Sequence, residues 1–359
     1  MQKKRIAVLF GGKSSEHEVS GVSAAYVIRQ IPAESYEVFP IGITKTGKWF
    51  LFSGPTEAIK NGSWEQDPHN LTAFISPDPS VGGLVVMEDG KARVEQIDGV
   101  FPVLHGKNGE DGTVQGLLEL AGLPYVGCGV LGSACCMDKI VTNCLLEQAG
   151  IRQAAFTYFS SYAFRSDPEA CLDQVERELK GYPVFVKPAN AGSSVGVSKA
   201  ADRASLKTAI LAAAKEDRRI LVEECIIGQE VECAVLGNER PFASIPGEIA
   251  PAAEFYDYEA KYHSASSQLF IPAHISEELR EQVRTIALKA YAALDCSGLS
   301  RVDFFVTPAG EVLLNEINTL PGFTSISMYP KLMAACGHEG SRLIEELLEL
   351  SFERADSHV

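Results

Sequence analysis

Apolar residues fall along this chain in two alternating rhythms. Near the N-terminus, Arg5 leads into the unbroken run Ile6-Ala7-Val8-Leu9-Phe10, which has the length of a buried strand. The run stops at Gly11-Gly12, residues 11–15 read as a turn, and Val19, Val22 and Tyr26 then recur at helical spacing. Further strands are expected at 38–43 and 99–103. A helix is expected at 114–121, ending at Gly122 in the position a C-cap glycine favours. This alternation of strand, turn and helix predicts an open α/β sheet to about residue 127.

Asp138 is positioned to N-cap the next helix, which should run to about Gln148. After it come a strand at 183–187, a glycine-serine loop at 189–196, a helix at 204–215 and a strand at 220–224. A third unit holds a strand at 231–236, an irregular polar stretch at 252–272, a helix at 277–294, two facing strands and a closing amphipathic helix at 342–352. A structureless run of about twenty residues inside a compact domain is usually functional, so 252–272 is a candidate lid. The expected domains are therefore 1–127, 128–224 and 225–359, in keeping with a length of 359 residues.

Charge and cysteine content narrow the partners. With 32 basic and 47 acidic side chains the net charge is −15, which argues against general affinity for nucleic acid or anionic membrane. Individual lysines can still bind phosphate in an acidic protein. The first apolar run is too short for a signal-peptide core, and no stretch approaches a membrane span. Nine scattered cysteines without a C-x-x-C pair suit reduced thiols in the cytoplasm better than disulfides or a zinc site.

The segment richest in chemistry is Ser300-Arg301-Val302-Asp303-Phe304-Phe305-Val306, then Thr307-Pro308-Ala309-Gly310, then Glu311-Val312-Leu313-Leu314-Asn315-Glu316-Ile317-Asn318. Strand formers on both sides of a Pro-Ala-Gly turn signal predict a hairpin. Centring the turn on Ala309-Gly310 sets Asp303 opposite Glu316 and Arg301 opposite Asn318, all on one face. Two carboxylates, an amide and an arginine make a poor hydrophobic surface. They make a good magnesium site, because that ion takes oxygens from one or two carboxylates plus nucleotide phosphates. The alternative is a solvated face carrying a cross-strand ion pair.

Other segments offer complementary contacts, each with a plainer alternative. Lys187 closes an apolar strand before Asn190-Ala191-Gly192-Ser193-Ser194-Val195-Gly196. Flexible backbone with N–H and hydroxyl donors can fold over polyphosphate there, although the spacing is neither a P-loop nor a Rossmann fingerprint; a flexible hairpin tip would look similar. Glu223 and Glu230 flank a turn and suit the adenine amine and ribose hydroxyls, or are solvated charges. The run from Pro321-Gly322 to Ser327-Met328 leads from a turn to a helix start, offering N–H groups to an anion or simply connecting two elements. Glu16 stands at a strand-to-helix junction, where it can bind a substrate ammonium or act as a favourable helix-end charge worth about 0.3–1 kcal/mol. His105 sits in the glycine-rich loop 104–112.

Together these segments resemble the D-alanine–D-alanine ligase family of the ATP-grasp superfamily. The resemblance covers nearly the whole chain, through 11–20, 105–112, 137–139, 187–196, 223–230, 255–262, 301–303 and 316–328 in the family's order. It implies an α/β ATP-grasp fold of three domains, with ATP between the central and C-terminal ones. It implies phosphate contacts from Lys139, Lys187, Ser193 and Ser194, and nucleotide contacts from Glu223, Glu224, Ile226, Glu230, Phe255, Lys261, Asn315 and Glu316. Asp303, Glu316 and Asn318 match the ligands of two magnesium ions, for which manganese can substitute.

The implied reaction activates the first D-alanine as an acyl phosphate, which the amine of the second D-alanine attacks, giving D-alanyl-D-alanine for peptidoglycan precursors. Arg301 matches the cation on the reacting oxygens, and the Gly322 N–H the oxyanion donor. Glu16 would hold the first ammonium, while Ser327 and Met328 would meet the second carboxylate. Tyr262, joined with Ser193 and Glu16, looks like the feature selecting D-alanine. The family also implies a homodimer in the cytoplasm, with no nucleic-acid or membrane partner. Two residues depart from the common pattern: His17 stands for arginine and Met328 for leucine. The second departure keeps D-lactate or D-serine open as an alternative second substrate.

Overall fold

The computed structural model describes residues 2–179, 181–192, 195–250, 268–324 and 326–357. The apolar run after Arg5 forms β1 (Lys4–Gly11), whose residues 6–10 are fully buried. Helix α1 (His17–Gln30) follows, then β2 (Tyr36–Ile43), β3 (Trp49–Leu51), α2 (Thr56–Lys60), β4 (Leu71–Ile75), β5 (Gly83–Glu88), β6 (Lys91–Gln96) and β7 (Gly99–Pro102). These strands make a seven-stranded sheet in the order β6-β5-β4-β3-β2-β1-β7. β1 is parallel to β2 and β7, as α/β alternation requires, but β2 to β6 form an antiparallel meander. Sequence periodicity did not find β3 to β6. β6 buries no residue fully, so it carries too little apolar pattern to be seen.

Helices α3 (Thr113–Ala121), α4 (Val130–Met137) and α5 (Lys139–Gln148) lead into a second sheet. α3 ends at Gly122 in the left-handed conformation, as expected. Asp138 caps α5, accepting from the N–H groups of Ile140 and Val141. The second sheet is antiparallel, in the order β10-β9-β11-β8, from β8 (Phe156–Ser160), β9 (Val184–Pro188), β10 (Ser198–Ala200) and β11 (Arg219–Glu224). Helices α6 (Ser161–Ser166), α7 (Pro168–Leu179) and α8 (Arg203–Glu216) belong to the same unit.

The third sheet comprises β12 (Gln229–Leu236), β13 (Phe242–Ala243), β14 (Gly247–Ala250), β15 (Gln268–Phe270), β16 (Leu299–Val306) and β17 (Val312–Asn318). Its main path runs β15-β14-β12-β16-β17, with β13 beside β12. α9 (Glu277–Ala293), α10 (Met328–Ala335) and α11 (Gly340–Ser357) complete the chain.

Two cores fix how these units meet. Cys136 of α4, Leu146 of α5 and Ile151 share one core with Val231, Phe304 and Ile317, so the α4–α5 pair packs on the third sheet. Leu343, Ile344, Leu347 and Leu348 of α11 share another with Ile6, Val8 and Phe101, which ties the C-terminal helix to the first sheet. Burying each such aliphatic side chain contributes about 1.5–3 kcal/mol. All nine cysteines carry free thiols.

The β16–β17 hairpin differs from its sequence expectation by one residue near the turn. Val306 pairs with Val312 and Phe304 with Leu314, a register one position tighter than a turn centred on Ala309-Gly310 gives. A β-bulge then inserts one residue, Asn315, and beyond it Asp303 faces Glu316 and Arg301 faces Asn318. The expected face therefore exists, but the bulge produces it.

Candidate active site

The bulged hairpin brings four polar side chains onto one surface. Arg301 forks onto Asp303, with Nε and Nη2 each 2.7 Å from a carboxylate oxygen. Asn318 Nδ2 donates to the same carboxylate at 3.0 Å. Burial opposes the charge of Arg301, but Asp303 and Glu232 outweigh it and hold the guanidinium well above its ordinary pKa. A solvated outer face is excluded, since Asp303 is only 9% exposed.

Lysines reach this surface from the second unit. Lys139, the first residue of α5, points its Nζ to within 3.9 Å of Glu316 and donates to the Ala191 carbonyl at 2.9 Å. Asp138 holds the neighbouring loop through Asn190 (2.8 Å) and Arg219 (2.6 Å). Lys187 on β9 lies 2.5 Å from Glu223, which also accepts from Asn143 at 3.0 Å. Burial lowers the pKa of Lys187, but Glu223 and Glu316 more than offset this and keep the ammonium above its usual value. Glu223 is thus a buried partner of lysine and no solvated charge. The Glu224 carboxylate accepts from Ala155 N–H at 2.7 Å, so its side chain ties β11 to residues 152–155. Glu230 is the second residue of β12, Ile226 lies half-buried before that strand, and Asn315 is the bulge residue.

Asp303, Glu316 and Asn318 fit the donor set of a hard cation, being oxygen ligands with cations close by to balance them. Among the described residues no group of three or more His, Cys, Asp or Glu side chains is arranged to hold a metal alone. The remaining ligands would therefore come from nucleotide phosphates and water.

The first unit supplies the opposite wall. Glu16 is buried at the start of α1, yet its side chain caps none of that helix's N–H groups. A Cβ on Gly106 would sit 2.6 Å from its Oε2, and one on Gly192 would sit 2.7 Å away. Only glycines allow the 105–112 loop and the glycine-serine loop to approach this carboxylate together. His17 instead braces the fold, with Nδ1 2.9 Å from Gly12 O and Nε2 2.9 Å from Glu65.

The turn carrying Gly322 is held by first-unit residues at three points. His105 Nδ1 lies 3.0 Å from Leu320 O, and its Nε2 lies 3.0 Å from Ser23 Oγ. Ser23 Oγ accepts from Phe323 N–H at 3.3 Å, and Glu110 accepts from the N–H groups of Leu320 (3.1 Å) and Gly106 (2.6 Å). Burial lowers the His105 pKa, with Glu16 opposing. Burial, reinforced by Glu16, raises the Glu110 carboxyl to about 8, with the Gly106 and Leu320 N–H groups and then Arg301 opposing.

A carboxyl raised in the folded state makes the unfolded chain the weaker proton binder above the usual carboxylate range. The contribution from Glu110 is thus fully present below about pH 4.5 and is lost as pH rises towards 8. Melting curves at pH 5.5 and pH 8.5 should show Glu110→Gln gaining on wild type as pH rises. A difference that stays constant, or that moves the other way, would contradict the shift.

Gly322 approaches Ser327 so closely that a Cβ there would lie 2.9 Å from Ser327 Oγ. Ser327 N-caps α10 without a side-chain cap bond, its Oγ accepting from Thr324 N–H instead at 3.0 Å. The first N–H groups of α10 are therefore not used by its own N-cap side chain. Met328 is buried in the core. Ser193, Ser194, Phe255, Lys261, Tyr262 and most of the 252–272 stretch lie outside the described residues.

Sequence reasoning passed over Glu232, Glu110, Asn143 and Ser23. Glu232 had a readable signal, because Glu230 and Glu232 alternate with apolar residues along one strand. Glu110 follows a glycine in a loop already suspected. Asn143 and Ser23 sit within helices, where nothing local marks them.

Comparison with known proteins gives matches over nearly the whole chain. The model for "D-ala D-ala ligase N-terminus" matches residues 5–128, and that for "D-ala D-ala ligase C-terminus" matches residues 145–349. A D-alanine–D-alanine ligase of Clostridium acetobutylicum is 51% identical over 98% of this chain and 99% of its own length. One from Acetivibrio thermocellus is 52% identical over 99% and 98%. Among solved structures, the VanG D-Ala:D-Ser ligase of Enterococcus faecalis superposes with a TM-score of 0.89 at 43% identity, covering 98% of this chain and all of that one. The D-alanine–D-alanine ligase of Coxiella burnetii gives 0.86 at 36% identity, covering 99% and 97%.

Proposed function

The chain belongs to the D-alanine–D-alanine ligase family, and on that premise we propose that its Arg301, Asp303, Glu316 and Asn318 face is where two D-alanines are joined using ATP. The observation that carries this is the approach of two lysines to that face, Lys139 at 3.9 Å from Glu316 and Lys187, paired with Glu223, within the electrostatic reach of Glu316. ATP-grasp ligases of this family supply D-alanyl-D-alanine for peptidoglycan. The proposed domains are 1–127, 128–224 and 225–359, with the nucleotide between the last two.

A carboxylate is a poor electrophile, so the first D-alanine must take the γ-phosphoryl group before its carbonyl can accept an amine. Phosphoryl transfer of this kind is governed by positioning and charge neutralisation. Arg301, Lys139 and Lys187 provide fixed cations for the oxygens that gain charge. Asp303, Glu316 and Asn318 would hold magnesium or manganese, which supplies further neutralisation of the phosphates. Glu16 is proposed to fix the ammonium of the first D-alanine, with Ser193 and Tyr262 closing over it. The N–H of Gly322 donates to the tetrahedral oxyanion, and its orientation depends on the Leu320–Phe323 turn being held by His105, Ser23 and Glu110. The carboxylate of the second D-alanine meets Ser327 and the first N–H groups of α10.

Glu223, Glu224, Ile226, Glu230, Phe255, Lys261 and Asn315 are proposed to line the nucleotide. For Glu224 the contact would come from its backbone, since its carboxylate is already used. A cytoplasmic homodimer is part of the same proposal. No helix among the described residues is long and apolar enough to cross a membrane.

Phosphate release with ATP, magnesium and each of D-alanine, D-serine and D-lactate tests this, with the products separated. D-alanine alone should give the dipeptide as the main product. D-serine is the competitor to include, because the fold neighbour at 43% identity is a D-Ala:D-Ser ligase. Preferential mixed product when both amino acids are present would reassign the second substrate, and no phosphate release with any of them would remove the proposal.

A further inference from the structure

Glu232 has no part in the reaction as read so far, yet it touches the site's central cation. It lies on β12 in register with Asp303 on β16, is 7% exposed, and places Oε2 3.0 Å from Arg301 Nε. That same nitrogen contributes to the fork on Asp303. Arg301 therefore stands between two buried carboxylates on adjacent strands, its Nε hydrogen-bonded to Asp303 and at ion-pair distance from Glu232.

Asp303 has two calls on its oxygens. A guanidinium fork occupies both of them, and a hard cation needs at least one. A cation on that carboxylate would sit beside a guanidinium of like charge, so its arrival favours a looser fork. A buried guanidinium leaving its only carboxylate would face the penalty of an unpaired charge, and loading would be opposed. Glu232 removes that obstacle, because a second carboxylate is already within reach of Nε. A guanidinium retained there through Nε keeps its Nη groups turned to the site.

We propose that Glu232 is the positioning residue of Arg301, the second anchor that lets the arginine release Asp303 to the metal while staying at the reacting face. The proposal rests on the reading of Asp303 as a metal ligand. It adds a role for a residue outside that ligand set.

Binding, with no turnover, provides the test. Manganese binding to the full chain in the presence of a non-hydrolysable ATP analogue is followed by electron paramagnetic resonance. Asp303→Asn must first weaken it, and unchanged binding in that variant would overturn the metal reading and with it this proposal. Glu232→Gln keeps size and polarity but loses the charge that competes for Arg301. We expect it to raise the manganese midpoint about tenfold, with Glu232→Asp recovering most of the loss.

The same Glu232→Gln change in an Arg301→Ala background should have at least fivefold less effect, because no guanidinium remains to be moved. An equal shift in both backgrounds would mean that Glu232 acts directly on the metal by its charge, and would overturn the positioning role. So would no shift in either background. If Glu232→Gln proves poorly folded by circular dichroism, Glu232→Asp is compared in the two backgrounds, with a smaller shift of the same pattern expected.

Discussion

Glu316→Ala should lower kcat by at least about a thousandfold, roughly 4 kcal/mol of transition-state stabilisation, while the protein remains folded. Glu316 faces Asp303 across the bulged hairpin and lies 3.9 Å from Lys139. Removing it takes away one of the two carboxylates that the hairpin presents beside the Asn318 amide. The structural loss is small by comparison. Lys139 keeps its bond to the Ala191 carbonyl, and the pair with Glu316 is long and partly exposed, a class worth about 0–1 kcal/mol. The melting temperature should therefore move by no more than about 3 °C. Steady-state kinetics at saturating ATP across a magnesium titration gives the answer. Near-normal turnover with an unchanged magnesium dependence would rule out this face as the phosphate and metal site.

Arg301→Lys should lower kcat by about a hundredfold or more, about 2.7 kcal/mol, with ATP affinity within about threefold of wild type. Lysine keeps the charge but lacks the planar fork that meets two oxygens at once. It also cannot span from Asp303 to Glu232 as Arg301 does. The nucleotide is expected to be held mainly by other groups, Lys139 and Lys187 among them, so its binding should survive. Direct binding by calorimetry beside single-turnover kinetics separates the two effects. Collapsed ATP binding with normal turnover per bound ATP would make Arg301 a nucleotide ligand instead.

Much of this site is readable in the sequence because its chemistry violates local patterning. Arg301, Asp303, Glu316 and Asn318 interrupt two strands that are otherwise mostly apolar, and their spacing points to one face. Asp138 before an apolar-periodic stretch announces both a helix and the start of the Lys139 contact. The register of the hairpin was not readable in full. A turn signal sets where strands reverse to within about one residue, and a bulge leaves no compositional trace at Asn315. Two one-residue departures cancel, so the face came out right although the turn did not.

The pairings across units were hidden for a different reason. His105 with Leu320, Ser23 with Phe323, and Glu16 with Gly192 join residues far apart in the chain. No periodicity spans such distances. Glu110 lies in a segment already under suspicion, but its importance comes from accepting the Leu320 N–H across units. The β3 to β6 meander was missed because its strands are short or carry little apolar contrast. Residues that define a face were legible, whereas residues that hold one unit against another were not.

Under the proposed reaction, the carboxylate of the first D-alanine is activated by phosphoryl transfer at the Arg301 face. D-alanine carrying oxygen-18 in both carboxylate positions tests it most directly. The labelled amino acid is incubated with ATP, magnesium and the enzyme, and the released phosphate is analysed by mass spectrometry. One oxygen-18 atom per phosphate is the predicted result, since the oxygen that accepts the phosphoryl group leaves with it when the second amine attacks. Phosphate free of oxygen-18 alongside normal dipeptide yield would contradict activation through the carboxylate oxygen.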